Sequence, residues 1–178
     1  STTIGLLSGL IEPTRGHITI SGFDLYSSSM KAKAKLGLVP QSFALYPTLC
    51  ARDNLVFFGR IYGLKGKRLK ERMTRVLEIV QLTDRAHQTV ATFSNGMKRR
   101  LNIAAGLLHE PEILVLDEPT TGVDAVSRSE FWTMLAKIRN HNITIIVSTP
   151  YMDEAMKCNR VALIQDGHIL SVDEPGNI

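Results

Sequence analysis

The chain has 178 residues, 44% apolar and 21% charged, enough for one domain with a substantial core or for a core layer plus a smaller lobe. Its 21 Lys and Arg against 17 Asp and Glu leave a formal charge of +4, a mild basic balance that selects no partner. Much of it sits in "KGKRLKERMTR" (65–75) and "MKRR" (97–100), runs that ordinarily form solvated helix faces rather than nucleic-acid surfaces.

The predicted elements begin with a helix over 1–10, with Ile4, Leu7 and Leu10 on one face and Gly5, Ser8 and Gly9 as weak points. "GHITISG" (16–22) reads as a short alternating strand between glycines, and "LGLVPQ" (36–41) as a compact apolar strand stopped by Pro40. From about 50 to 109 the texture is helical: "RDNLVFFGRIYGL", "KRLKERMTRVLEIVQL" and "MKRRLNIAAGLLHE". Strands return from 112 as "EILVLDEP", "ITIIVSTP", "RVALIQDG" and "HILSV", with a helix at about 126–140 between the first two. Continuous apolar strands separated by a helix predict a parallel sheet covered on both faces. The whole reads as an α/β core interrupted by a helical insertion, without repeats, low-complexity stretches or linkers. Cys50 and Cys158 have no metal-ligand spacing and read as free thiols of a reducing compartment. No apolar run approaches the ~20 residues that span a bilayer, and no signal-peptide pattern is present, so any membrane role needs another chain.

The stretch "ILVLDEPTTGVD" (113–124) puts Asp117 and Glu118 together at the carboxyl end of a buried strand, the place where open α/β sheets bind ligands. One acid there can hold a hydrated Mg²⁺ and the other can polarise a water for attack on a phosphoryl group. The same residues also suit a plain turn where a strand meets solvent. "FSNGMKRRLNIAAGLL" (93–108) sets a Ser-Asn-Gly turn directly before a periodic helix. Free backbone N–H groups and the positive dipole end make such a start an anion site, with Ser94 adding a hydroxyl and Gly96 allowing close approach; the alternative is an ordinary N-cap. Gln41, just past a strand end, can reach a metal or a water, or can be a polar loop residue.

In this order, these segments resemble the nucleotide-binding domain of an ABC transporter. Gln41 matches the Q-loop, "FSNGM" (93–97) the signature turn, "ILVLDE" (113–118) the Walker B strand with its glutamate, and "TGVD" (121–124) the D-loop. Four motifs in register make the match far more specific than any single one. "DEPTTGVD", Met97 in place of the usual glutamine, and "STPYMDEA" (148–155) look most like ABC-2-type multidrug exporter ATPases.

The resemblance implies an α/β fold of P-loop NTPase type: a mostly parallel sheet core with an inserted α-helical subdomain. The RecA-like ATPase core would comprise 1–49 and 110–178, and the helical subdomain with the signature motif 50–109. It implies ATP and Mg²⁺, with Glu118 as the general base and Gln41 beside it. Asp117, Gln41 and Ser1 would serve Mg²⁺, and Thr2 would contact phosphate. Ser94, Asn95 and Gly96 would contact the ATP of a second domain in a head-to-tail dimer, and Asp124 would lie at that contact. The implied partners are that second ATP-binding domain and a separate transmembrane permease, not nucleic acid. The implied place is the cytoplasmic face of the plasma (inner) membrane, and the implied work is ATP-driven export of drugs or other small molecules. A soluble ABC-type ATPase acting on ribosomes or nucleic acid, or a degenerate regulatory cassette, are the other readings.

Three features depart from the pattern. Pro150 stands where the family has its switch histidine, and proline offers neither that side chain nor an N–H; a weakened site, with Thr149 or Tyr151 partly substituting, is expected. Asn95 replaces a glycine, which suits it if the backbone there is left-handed. "STTIGLL" resembles the segment just after the Gly-Lys pair of a phosphate loop. Ser1 and Thr2 therefore read as site residues whose glycines and lysine belong to a longer product, and the chain as given is expected to bind ATP poorly and to be inactive alone.

Overall fold

The computed structural model describes residues 2–139 and 142–178 and divides into two compact units, up to Ser148 and from Thr149 onward. In the first unit, β3 (Leu36–Val39), β4 (Ile113–Asp117) and β5 (Thr144–Ser148) form a parallel sheet in the order β3-β4-β5. Pleating sends successive β4 side chains to opposite faces. Leu114 and Leu116 enter one apolar cluster and Val115 another, all three fully buried. Each such side chain contributes about 1.5–3 kcal/mol of transfer free energy, so β4 is the anchored strand. The predicted two-sided cover holds for β4. On β5, Ile145 and Val147 join the first cluster and Ile146 the second, but all stay half-buried, since among the described residues β5 pairs with β4 on one edge only.

The first cluster is built by α3 (Ala51–Ile61), α4 (Gly66–Ile79), α5 (Asn95–Leu107) and α6 (Ala125–Arg139). Helix α3 starts at Cys50, whose sulfur accepts from the Asp53 amide at 3.4 Å. Leu69, Met73, Val76 and Leu77 lie on one face of α4 at helical spacing and are buried. Helix α5 is buried all round from Leu101 to Leu107, the pattern of a central helix. Its carboxyl end is closed by Arg72, which donates to the Leu107 and Leu108 carbonyls at 2.9 and 3.0 Å and pairs with Glu110 at 3.0 Å, a cation where the helix dipole favours one.

The amino-terminal expectations need correction. The first helix, α1, runs Thr2–Leu7 rather than to residue 10. Gly9 turns left-handed, and the Leu10 and Ile11 amides both return to the Gly5 carbonyl, which leaves Leu10 exposed instead of on the apolar face. The predicted strand at 16–22 shrinks to β1 (Thr19–Ile20), paired antiparallel with β2 (Phe23–Asp24). Ser21 and Gly22 between them both have positive φ, the two-residue hairpin turn that ends the ribbon early. Helix α2 (Ser29–Ala34) comes next.

The second unit holds α7 (Met152–Ala155) and an antiparallel hairpin of β6 (Val161–Gln165) and β7 (His168–Asp173) turning at Asp166-Gly167. Among the described residues no helix is long and apolar enough to cross a membrane.

Candidate functional site

Three loops meet at the carboxyl end of the parallel sheet. Strand β4 delivers Asp117 and Glu118, β3 leads through Pro40 to Gln41, and β5 ends on Ser148, the register partner of Asp117. The Ser148 hydroxyl donates to Asp117 Oδ1 at 2.6 Å and accepts from the Glu118 amide at 2.9 Å, while the Ser148 carbonyl also accepts from that amide at 3.1 Å. Glu118 has φ +44°, a conformation that side chains other than glycine adopt at a cost of about 1–3 kcal/mol. Its amide bonds to Ser148 hold it there.

The Glu118 carboxylate is oriented as firmly as its backbone. Gln41 Nε2 donates to Oε2 at 3.2 Å and Thr121 Oγ1 donates to the same oxygen at 3.1 Å. Among the described residues no donor bonds Oε1, so that oxygen keeps its acceptor capacity. Because Gln41 spends its nitrogen on Glu118, its amide oxygen is left as a hard ligand. Asp117, half-buried beside it, has one carboxylate oxygen fixed by the Ser148 hydroxyl. Among the described residues no three His, Cys, Asp or Glu gather to hold a metal. A carboxylate and an amide oxygen are the hard ligand types that Mg²⁺ takes alongside waters and phosphate.

The turn before α5 behaves as an N-cap and remains open outward. Ser94 Oγ accepts from the Met97 amide at 3.2 Å, so its proton stays available to an anion. Asn95 is not left-handed, so the condition under which it would best stand in for a glycine does not apply. It is the first residue of α5, a position any residue occupies without strain, so no glycine is needed there. A Cβ on Gly96 would meet only Ser94 Oγ, at 3.8 Å, so the chain's own packing does not require a glycine. Asp124 is exposed and accepts from the Ser127 amide at 2.9 Å ahead of α6; that bond, with help from the Ser127 hydroxyl, holds its carboxyl below the usual range. Thr2 is exposed at the start of α1, and Ser1 lies outside the described residues.

Pro150 belongs to the second unit and is exposed. Beside it the Thr149 hydroxyl donates to buried Glu154 at 2.6 Å and accepts from the Tyr151 amide at 3.1 Å. The Thr149 proton is thus committed to a turn, which weighs against its substituting for a histidine.

Sequence reasoning brings Gln41, Asp117 and Glu118 together, and the structure adds Ser148, Thr121 and Arg99. Ser148 has one legible signal: a polar residue ending an apolar strand parallel to the acid-bearing one. Arg99 donates through its two terminal nitrogens to the Pro119 and Thr121 carbonyls; nothing in "MKRR" distinguishes it from its neighbours.

Comparison with known proteins bears on the family and the fold. The family model described as ABC transporter matches residues 1–121. The linearmycin resistance ATP-binding protein of Bacillus subtilis (strain 168) is 44% identical over 97% of this chain and 56% of that protein. A probable multidrug ABC transporter ATP-binding protein of Escherichia coli (strain K12) is 39% identical over 100% of this chain and 31% of that protein. A daunorubicin resistance ATP-binding protein of Streptomyces coeruleorubidus is 36% identical over 96% of this chain and 54% of that protein. The chain spans about half the length, or less, of these curated relatives. Among solved structures, the ATP-binding subunit of an ABC transporter superposes with a TM-score of 0.82 at 26% identity, covering 97% of this chain and 72% of that one. CbiO1 of Clostridium perfringens, described as part of the ABC transporter complex cbiONQ, reaches 0.91 at 24% identity over 99% and 72%, a likeness of fold. The fold is thus the α/β architecture of P-loop NTPases, and the chain belongs to the ABC transporter family.

Proposed function

We propose that this chain is the ATP-binding and ATP-hydrolysing part of an exporter, driving small-molecule export through a separate membrane-spanning permease. The observation that carries the chemistry is the Glu118 carboxylate, fixed by Gln41 and Thr121 through one oxygen and open at the other. The names of the relatives, resistance and multidrug ATP-binding proteins, favour export.

In this reading Glu118 Oε1 accepts a proton from the attacking water as the water closes on the terminal phosphoryl group of ATP, and Gln41 keeps the carboxylate aimed. Bound Mg²⁺ supplies neutralisation of phosphate charge; Asp117, through water, and the Gln41 amide oxygen would hold it, together with Ser1. Thr2 would meet a phosphate. Ser94, Asn95 and Gly96 would serve the ATP of a second domain set head to tail, consistent with an exposed helix start, an uncommitted Ser94 proton and a glycine the fold does not need. Asp124, ionised and exposed, would lie at that contact. Residues 50–109 would act as the helical subdomain within a core of 1–49 and 110–178. Its exposed Phe57, Ile61 and Tyr62, with Phe43, Tyr46 and Leu49 of the loop before it, would seat the permease at the cytoplasmic membrane face. The test is recovery of the whole gene product from cells: it should fractionate with membranes and a polytopic chain, and recovery with ribosomes instead would sink the exporter reading.

Two substitutions probe the site itself. Ser148→Ala removes the hydroxyl that joins Asp117 to the Glu118 amide but leaves the Ser148 carbonyl bond. It should lower turnover about tenfold, as loss of a supporting partner does, with a melting temperature within a few degrees of the parent, about 1 kcal/mol or less. A degenerate cassette is the second reading, favoured by Pro150. Pro150→His should raise ATP turnover if the switch position limits the reaction; an unchanged or lower rate would show that it does not.

A further inference from the structure

We infer that Arg99 is a positioning residue for hydrolysis, clamping the loop that aims Glu118 to the helix that begins at the Ser94 turn. The inference rests on the proposed role of Glu118.

Arg99 lies one turn into α5 and points into the molecule. Its two terminal nitrogens donate to the carbonyls of Pro119 and Thr121, in the loop just after Glu118. Thr121 in turn gives its hydroxyl proton to Glu118 Oε2, and its amide bonds the Glu118 carbonyl at 3.3 Å. The Arg99 guanidinium also sits 5.7 Å from the ring centroid of Phe43, two residues past Gln41, the other donor to that same oxygen. A single side chain therefore bonds the Thr121 arm and lies against Phe43 in the loop that carries Gln41.

The chemistry of arginine suits this placement. A planar fork meets two carbonyls at once with little freedom left to lose, whereas an ammonium makes a point contact. Both acceptors are backbone oxygens in a tight loop: Pro119 and Thr120 are buried, and Glu118 carries its positive φ beside them. Within that loop the Thr121 amide bonds the Glu118 carbonyl and the Val123 amide bonds the Thr120 carbonyl at 3.1 Å, and Arg99 adds two bonds to it from another element. Arg99 Nε is buried and has no hydrogen-bond partner among the described residues. Its position is set by the two carbonyls it holds.

The link has a direction as well. The Ser94 turn and Arg99 lie on the same first turns of α5, so a displacement of that helix start reaches the Glu118 loop through one side chain. Where the turn faces ATP of a second domain, its seating and the aim of Glu118 are mechanically joined.

The experiment uses the whole gene product with its partner chain. Arg99→Ala should lower kcat about 10- to 100-fold, the loss typical of a supporting partner, with KM for MgATP within about threefold. Arg99→Lys should recover part of the rate, since it meets one carbonyl. Thr121→Val should cost rate in the parent and add less than about twofold on top of Arg99→Ala, because both act through one carboxylate. Amide exchange should quicken at Thr121 and Val123 while Leu101–Leu107 stay protected. A kcat within threefold of the parent, additive losses with Thr121→Val, or loss of protection along α5 would each overturn the inference. If the parent shows no hydrolysis that depends on Glu118, the proposed function fails, and the exchange comparison alone then decides whether Arg99 holds the loop.

Discussion

Glu118→Gln is expected to cut ATP turnover about 10²- to 10⁴-fold, the range for losing a positioned general base, and to leave nucleotide binding and the fold intact. The reason lies in which oxygen does what. Gln41 and Thr121 both donate to Oε2, so a glutamine can offer its carbonyl oxygen to the same two donors and keep their geometry. Its NH₂ group then occupies the place of Oε1. A hydrogen-bond donor faces the water where an acceptor is required, and the water keeps its proton. The backbone is undisturbed, because Glu118 is held at positive φ through its amide by Ser148 rather than through its side chain. Phosphate release and equilibrium binding of a nucleotide analogue, measured on the same preparation, separate the two effects. Turnover retained within tenfold would remove Glu118 from the role of base. Weakened binding with proportionally reduced turnover would mean that it holds the nucleotide instead.

Legibility in the sequence depends on where the information sits. Asp117, Glu118 and the Ser94 turn announce themselves because each is a chemical group at the end of a periodic element: a four-residue apolar run ending in two acids, a polar turn opening a helix. The parallel sheet and the helical segment are legible for the same reason, since burial on both faces of β4 writes "ILVL" and a central helix writes "LNIAAGL". Thr121 and Arg99 are not, because their roles depend on approach across the fold. Arg99 is 20 and 22 positions from its acceptors, and a basic run reads as a solvated face until the helix is seated. Whether Asn95 needs a left-handed backbone is decided only by where the helix starts, and Asn95 is already the first residue of α5. The ribbon at Thr19–Ile20 is shorter than its sequence pattern because alternation marks a strand's face but not its end, and the Ser21-Gly22 turn sets the end.

Gly37→Val is expected to be the most destabilising single substitution argued from this structure, by roughly 3 kcal/mol, the upper end of the usual cost of overpacking a core. Gly37 lies on β3 where the far end of α5 crosses it. A Cβ there would sit 2.5 Å from the Gly106 carbonyl oxygen and 3.0 Å from both Leu114 Cδ1 and Pro111 Cγ. The Leu114 methyl could shift, but the nearest of these neighbours is backbone in a helix buried all round. Gly106 answers from the other side: its own Cβ would meet Val39 Cγ2 at 3.2 Å, so the two glycines together let β3 and α5 approach. That approach fixes the relation between the strand that leads to Gln41 and the helix that begins at Ser94. For a chain of this size the loss corresponds to a melting temperature lower by about 6–12 °C. Gly176→Ala is the control, since nothing lies within 4 Å of a Cβ at that position, and it should leave the transition in place. A Gly37→Val variant melting within about 2 °C of the parent, less than 1 kcal/mol, would show that α5 can slide on the sheet. The coupling of Arg99 to the Glu118 loop would then be adjustable by that slide rather than fixed by the core.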